Sequence, residues 1–515
     1  MKQNHGVVAA GHQKTAEAGI EMLRNGGNAF DAAVAASLAS FVTESALTSA
    51  AGGGFLLAHT QAGNNTLFDF FTQTPRQKRN TQEIDFYPVE VDFGGAIQEF
   101  QIGLGSMAVP GNIAGLFYVH QRLGRLPLNV VAEPAIDYAK NGLELNHFQY
   151  YCLASILKPI MIDERQGKQY YRPTGSIIEP ETVLYQQEFA NILTHLVQKG
   201  AQEFYQGEIA HQLVKDCQKL GGYLTLDDLK NYQVIERKPL LFNYREDALL
   251  TNPPPSSGGT LIAFALKLLA RINLTEIDFG NTNHLEILAK VMQLTNDARK
   301  DGYDANLYQE SIADKFLDEQ HIEQYSQQLT TNKWGSTTHI SVIDSEGNAA
   351  SVTTTNGEGS GYVIPGTGIM VNNMLGEEDL NPQGFHQWQE NVRISSMMSP
   401  TIVLKNNQPE IVLGSGGSKR IRTAILQVIS NIIDFKMTVQ EAVDSPRVHW
   451  ENNVFHIEPG FEANVDKLTI PADHQLVHWQ QKNLFFGGVH TVSKTSAGLL
   501  EGASDHRRDG GVASC

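Results

Sequence analysis

The stretch "HISVIDSEGNAASVTTT", His339 to Thr355, constrains the fold most, because two short runs of period two flank one turn. Ser345, Glu346 and Gly347 suit a three-residue hairpin loop with glycine in the left-handed position, closed by Asp344 and Asn348. That loop sets a register: Val342 faces Ala350, Ser341 faces Ser351, His339 faces Thr353, and Thr337 faces Thr355. Directly opposed side chains stand about 5 Å apart at Cβ. Alternation then puts Thr338, Ile340, Val342, Ala350, Val352 and Thr354 on one largely apolar face, and Thr337, His339, Ser341, Ser351, Thr353 and Thr355 on the other. Threonine suits strands, so this spacing alone does not establish a catalyst.

Elsewhere the pattern supports an inner sheet covered by helices. "KTAEAGIEMLRNGGNAFDAAVAASLASFV" reads as two helices, with Gly26 and Gly27 stopping the first and Asn28 capping the second. Alanines from Ala32 to Ala39 leave the second helix without a polar side, so it is expected to be buried. "AGGGFLLAHT" and "NTLFDFFTQTP" read as strands. From about Pro110 to Gln328 the period is mostly helical, with Leu285, Leu288, Val291 and Leu294 on one stripe. The prolines of "TNPPPSSGG", Thr251 to Gly259, break that run and make a spacer or a site wall. Strands dominate from Gly335 onward, interrupted by a helix from about Ser418.

The chain has 515 residues, of which 41 % are hydrophobic and 18 % charged, a globular balance that leaves room for a large core. A formal charge of −17 opposes docking on nucleic acid or anionic membrane. Cys152, Cys217 and Cys515 lack the spacing of a disulfide framework or a zinc site, and the histidines show no metal pattern. The N-terminus has no apolar core of signal-peptide length, so a cytoplasmic location is expected. Neither a metal nor a cofactor is expected. The acids of "GEEDLNP", Gly376 to Pro382, do not follow a calcium loop and read as a solvated turn.

A threonine becomes a strong nucleophile when its own α-amine is free, because an amine of pKa near 8 can take the hydroxyl proton. Freeing Thr337 requires a cut after Ser336: attack of the Thr337 hydroxyl on the Ser336 carbonyl, an N-to-O acyl shift, and hydrolysis of the ester. Thr355 would then hydrogen-bond the Thr337 oxygen. The second constellation is "LGSGGSKRIRTAILQVISNIID", where glycines lead a strand end into a helix and backbone amides converge on one spot. Near a nucleophile that spot is an oxyanion hole; a phosphate loop is the rival, but the GxxxxGK[ST] spacing is missing.

These residues, with "GGNAFDAAVAASLA", "GGGF", "VPGNIAGL", "PPPSSGG", "GTGIMVNN", "MSPTIV", "GSGGSKRI" and the terminal "GASDHRRDG", make a chain that resembles the gamma-glutamyltransferases over nearly its whole length. These are N-terminal-nucleophile hydrolases made as one precursor and self-cleaved. The resemblance implies an α+β, four-layer αββα fold with two antiparallel central sheets, a large subunit over residues 1–336 and a small one over 337–515. It implies Thr337 as nucleophile, Thr355 as its partner, and Gly416 and Gly417 as the oxyanion pair. The partners implied are a small-molecule amide or peptide substrate, with water or an amine as acceptor; the number of assembled copies stays open.

The departures from the family bear on substrate. Where gamma-glutamyl enzymes carry an arginine for the substrate α-carboxylate, this chain has Phe71, with Arg76, Lys78 and Arg79 nearby in sequence as substitutes. Glu377 stands for the aspartate that holds the substrate amine. Ser395 and Ser396 stand for the serine pair, followed by an extra Met397, and Asn356 lies next to Thr355 rather than two positions on. Gamma-glutamyl compounds such as glutathione are therefore one expected substrate class; an acyl group that is glutaryl-like or lacks an α-carboxylate is the other. An unprocessed relative acting as a binding protein is the non-enzymatic alternative.

Overall fold

The computed structural model describes residues 5–92, 97–161, 180–325, 337–381, 383–451, 453–461, 468, 475–495 and 497–515. Ser336, the residue before the expected cut, and Pro382, the last residue of "GEEDLNP", lie outside the described residues.

The hairpin forms in the expected register. Its strands run Thr338–Asp344 and Ala349–Thr355, with Val342 opposite Ala350, Ser341 opposite Ser351 and Thr338 opposite Thr354. Gly347 takes φ +94°, and Asp344 N–H donates to Asn348 O at 3.1 Å. Asp344 Oδ2 also accepts from the Ala29 amide at 3.0 Å, which ties the hairpin to the start of the buried helix.

In chain order the strands of the two large sheets are β1 (Gly6–Ala10), β2 (Gly53–His59), β3 (Asn65–Phe70), β4 (Ile235–Arg237), β5 (Leu240–Tyr244), β6 (Asp247–Thr251), β7 (Thr338–Asp344), β8 (Ala349–Thr355), β9 (Thr401–Lys405), β10 (Gln408–Gly416), β11 (Gly488–Lys494), β12 (Leu500–Ala503) and β13 (Gly511–Ser514). One sheet has seven strands in the order β13-β1-β7-β8-β2-β3-β4, and the other six in the order β12-β11-β10-β9-β6-β5. Every neighbouring pair in both is antiparallel.

Two helices cover the first sheet: α1 (Gln13–Arg24) and α2 (Ala29–Thr43). Asn28 and Asp31 form a capping box at the start of α2, and every residue of that helix is buried. Ile340, Val342, Ala350 and Val352 share a core with its alanines, Val34 and Phe41. Each fully buried valine or phenylalanine stabilises by about 1.5–3 kcal/mol. The second sheet is covered by α3 (Gly258–Leu269), α4 (Thr282–Ala298) and α5 (Arg420–Ile433), with the Leu285, Leu288, Val291 and Leu294 stripe inside. The sheets face each other through β7 and β8 against β9, β10 and β11. The result is the αββα order.

The polar face of the hairpin is the inner face of this sandwich, and its groups are satisfied there. His339 Nδ1 meets Thr353 Oγ1 at 2.8 Å and its Nε2 meets Ser341 Oγ at 2.9 Å. Ser341 donates to His490 O and Ser351 to Leu413 O, both at 3.0 Å. Burial, with the neighbouring His490, holds His339 well below the usual histidine range, so the imidazole is neutral.

Two details differ from the sequence reading. The mostly helical middle also contains β5 and β6, a hairpin that supplies the edge of the second sheet. The helix expected from about Ser418 starts at Arg420, because Ser418 has φ +49° and still belongs to the turn. Among the described residues no helix is long and apolar enough to cross a membrane.

Candidate active site

Thr337 immediately precedes β7 and is 3 % exposed. Because Thr338 pairs with Thr354, the register carries Thr337 and Thr355 onward to the inner face of the sandwich. Thr338 points the other way, donating from its hydroxyl to Glu44, while the Thr48 hydroxyl donates to Thr354 Oγ1 at 3.0 Å. Thr355 Oγ1 accepts from the Gly357 amide at 3.0 Å, which fixes the start of the loop beyond β8.

The glycine pair lies against the Thr337 backbone. A Cβ on Gly416 would stand 1.8 Å from Thr337 O, so no other residue fits there without displacing the Thr337 carbonyl. Arg508 closes the other side, with Nη1 donating to Thr337 O at 2.9 Å and Nη2 within 3.2 Å of a Cβ position on Gly417. Arg508 belongs to "GASDHRRDG", a motif that carries the family resemblance but in which no pattern marks this residue's role. Its neighbour Asp505 anchors that motif through Arg447 at 2.7 Å and Arg507 at 3.1 Å.

The acids of "GEEDLNP" do not form a solvated turn. Glu377 and Asp379 are buried, and Glu378 alone of the three is exposed. Lys419 Nζ pairs with Asp379 at 2.9 Å and Ser418 Oγ donates to the same carboxylate, so helix-entry residues pull the loop inward. Glu377 Oε1 would touch a Cβ on Gly357, two residues past Thr355, and has no hydrogen-bond partner among the described residues. Burial, reinforced by the charges of Glu358 and Asp379, pushes the Glu377 carboxyl well above its ordinary range.

Phe71 is fully buried and stacks on Phe55 with ring centroids 5.4 Å apart. Its backbone lies against Gly53, which pairs with Thr355. The cations suggested as substitutes are engaged elsewhere: Arg76 lies 3.9 Å from Asp227, Lys78 sits 4.9 Å over the Trp388 ring, and Arg79 donates to Cys217 O and Gly222 O. The cation beside Phe71 is Arg393, remote in sequence. Arg393 donates to Phe71 O and Gln233 O, lies 3.3 Å from Asp69 Oδ1, and stacks 4.8 Å over Tyr232. Those bonds hold the guanidinium to the scaffold.

Ser395 and Ser396 are tied to the proline loop. Ser396 O accepts from Ser256 Oγ at 2.9 Å and Ser257 N at 2.8 Å, and the Ser395 and Ser257 hydroxyls meet at 3.0 Å. Asn356 Oδ1 accepts from Ser49 Oγ at 2.8 Å, a bond that holds the loop after β8. The structure thus gathers Thr337, Gly416 and Gly417, continues the register to Thr355, and sets Glu377 beside that strand's end. Phe71 and the serines stand on adjoining segments, joined by Ile394 N donating to Thr72 O at 3.1 Å. Glu44, Glu358, Arg393 and Arg508 are charged residues that the fold buries and that no local pattern in the sequence singles out.

The sequence profile of the family described as Gamma-glutamyltranspeptidase matches residues 15–515. The glutathione hydrolase proenzyme of Escherichia coli (strain K12) is 30 % identical, over 98 % of this chain and 91 % of that protein. The Acylase ACY 1 proenzyme of Pseudomonas sp. (strain SE83) is 28 % identical, over 98 % of this chain and 93 % of that protein. In structure the chain is similar to the cephalosporin acylase from Bacillus halodurans, with a TM-score of 0.87 at 24 % identity, over 99 % of this chain and 96 % of that one.

Proposed function

Because the chain belongs to the gamma-glutamyltranspeptidase family, we propose that it is a self-processing amide hydrolase or acyltransferase whose nucleophile is Thr337. One observation carries this reading: Thr337, at the entry to β7, has its carbonyl seated on Gly416 and held by Arg508 at 2.9 Å.

In the precursor, the Thr337 hydroxyl attacks the Ser336 carbonyl and the Ser336–Thr337 C–N bond breaks, leaving an ester on Thr337 and a free amine. Water hydrolyses the ester, giving a Ser336 carboxylate and a large and a small subunit, residues 1–336 and 337–515. The freed amine then takes the hydroxyl proton as Thr337 Oγ1 attacks a substrate amide. Gly416 and Gly417 amides stabilise the oxyanion, Thr355 orients Oγ1, and the amine returns its proton to the leaving nitrogen. Water or a second amine takes the acyl group from Thr337.

The acyl group is gamma-glutamyl or a near relative. Glu377 favours a substrate ammonium, since an arriving cation supplies the charge that its carboxylate needs. A second reading, an acylase that does not require the α-carboxylate, is favoured by Phe71 in its aromatic stack and by Arg393 held to Asp69. Losing a bidentate arginine removes a strong, charge-assisted pair.

Purified protein on a denaturing gel is expected to show two bands from a cut before Thr337, and Thr337→Ala a single one. A wild-type band that stays full-length would defeat the enzymatic reading. Anilides of gamma-glutamyl, glutaryl and 4-aminobutyryl groups then separate the two substrate readings. The 4-aminobutyryl group keeps the amine and drops the carboxylate. A gamma-glutamyl preference over it of more than about a hundredfold would defeat the acylase reading.

A further inference from the structure

The turn that follows α2 backs the site from the helical side of the seven-stranded sheet. Glu44, Leu47, Thr48 and Ser49 each bond a chain neighbour of one of the two site threonines. The hydroxyl of Thr338, one residue past Thr337, donates to Glu44 Oε2. Thr48 donates to the Oγ1 of Thr354, one residue before Thr355, at 3.0 Å. Asn356, one residue after Thr355, donates from its amide to Leu47 O at 3.2 Å and accepts at Oδ1 from Ser49 Oγ at 2.8 Å. The turn is itself closed by the Leu47 and Thr48 amides, which donate to Glu44 O at 2.8 and 3.2 Å. Thr337 and Thr355 are thus held through the residues beside them in the chain.

Glu44 is the charged member of this turn. It is 4 % exposed, with Oε2 on Thr338 and Oε1 accepting from Thr15 Oγ1 at 2.9 Å. A Cβ on Gly11 would stand 2.1 Å from Glu44 Oε2 and 2.7 Å from Thr338 Oγ1, so glycine there is what lets the two meet. Arg508 donates to Thr337 O at 2.9 Å. The Thr337–Thr338 peptide is therefore held at its carbonyl by a cation and at the next side chain by an acid. The space beside Glu44, among His12, Gln149 and Cys152, is about 20 Å³, enough for one water and too small for a substrate group. Glu44 therefore acts through the protein.

We infer that Glu44 is a positioning residue for Thr337: by holding Thr338 it fixes the Thr337–Thr338 peptide, and with it the aim of Thr337 Oγ1 at the substrate amide. The inference rests on the reading of Thr337 as the nucleophile. Ionised, Glu44 holds the Thr338 hydroxyl by a charge-assisted bond, roughly twice as strong as a neutral one. Burial opposes that state and pushes the carboxyl up to about 7. Of the ionisable groups around it, burial holds His12 down to about 4 and Cys152 up to about 12, so both are neutral near pH 7, while the Arg508 charge favours ionised Glu44. The form that holds Thr338 best is thus the form that destabilises the fold.

The test compares the wild type, Glu44→Gln, Thr338→Val and the double variant, with kcat and KM measured on one hydrolysed anilide and active sites counted from the acyl-enzyme burst. Glutamine keeps the size of Glu44 and lacks its charge. The ratio of wild-type to Glu44→Gln kcat should be near one at pH 5 and rise to about fivefold at pH 8, with KM unchanged. The Thr337 amine titrates in both proteins, so the ratio cancels it. Over the same range Glu44→Gln should gain stability relative to its parent, so activity and stability move in opposite directions, which a merely structural role would not produce. Thr338→Val leaves Glu44 in place and should lose the same advantage by itself; in its background Glu44→Gln should no longer lower kcat. Cleavage before Thr337 and turnover with a ratio that stays flat from pH 5 to 8, or a Glu44→Gln effect that persists without the Thr338 hydroxyl, would overturn the inference and leave Thr337 as nucleophile. A wild-type chain that stays whole would overturn both.

Discussion

A methyl group at residue 416 would have to displace the Thr337 carbonyl and would crowd the Arg508 guanidinium, which lies 3.0 Å from the same Cβ position. Gly416→Ala is therefore expected to slow self-cleavage more than about a hundredfold, a loss on the scale of removing an oxyanion donor, read as the rate of band conversion on a gel. Processing at the wild-type rate would refute it. The glycine pair was legible in the sequence because its local spacing identifies a strand-to-helix turn. Arg508, 171 positions from Thr337, was not, since only the closed sheets bring them together. Glu44 is a similar case. Burial pushes its carboxyl from 4.5 up to about 7, against the pull of hydrogen bonds from Thr338 and Thr15 and of the Arg508 charge. The folded state thus holds a proton that the unfolded chain releases between those values. Glu44's contribution to stability is complete below pH 4.5 and falls as pH rises through 7. In a Thr337→Ala background, Glu44→Gln should remove this slope. Its stability relative to the Glu44 parent should rise by up to about 3 kcal/mol between pH 5 and 8 in urea melts; a constant difference would show that Glu44 does not titrate in that range.

At the scale of elements, the hairpin was the most legible feature because both of its determinants are local. Alternation assigns the faces, and the Ser345-Glu346-Gly347 loop sets the register. Its glycine has φ +94° with Gln408 Oε1 3.5 Å from a Cβ position, so the constraint there is backbone conformation rather than space. Gly347→Val should cost about 1–2 kcal/mol in denaturant unfolding while Thr337 is still cleaved. A variant as stable as the wild type would mean that the turn does not hold the left-handed residue. The all-buried α2 was legible for a related reason, its run of alanines having no polar side. The acidic loop misled because acids beside a turn are ordinarily solvated. What buries Glu377 and Asp379 is Gly357 on one side and Ser418 and Lys419 on the other. None of those partners is marked by a pattern in the loop itself.

Across the whole molecule, both sheets draw strands from each side of Thr337. In the seven-stranded sheet, β7 and β8 lie between β1 and β2, and in the six-stranded one β9 pairs with β6. The αββα layering came from the family resemblance, because period and propensity mark strands without saying which distant ones pair. The interleaving has a consequence for the cleaved protein. Separating residues 337–515 from 1–336 would strip β7 of β1 and β8 of β2, and uncover the apolar face that α2 buries. Unpaired edges and an exposed core face are costly in water. The two pieces are therefore expected to co-elute as one particle in gel filtration after cleavage, in high salt as well as low, because apolar burial and ladder bonds are little screened. They should part only at denaturant concentrations that also abolish the circular dichroism of the sheets. The small piece expressed alone should be insoluble or unfolded. Recovery of a folded 337–515 fragment, or separation of the pieces in native buffer, would show that the interleaved strands do not bind the halves into one unit.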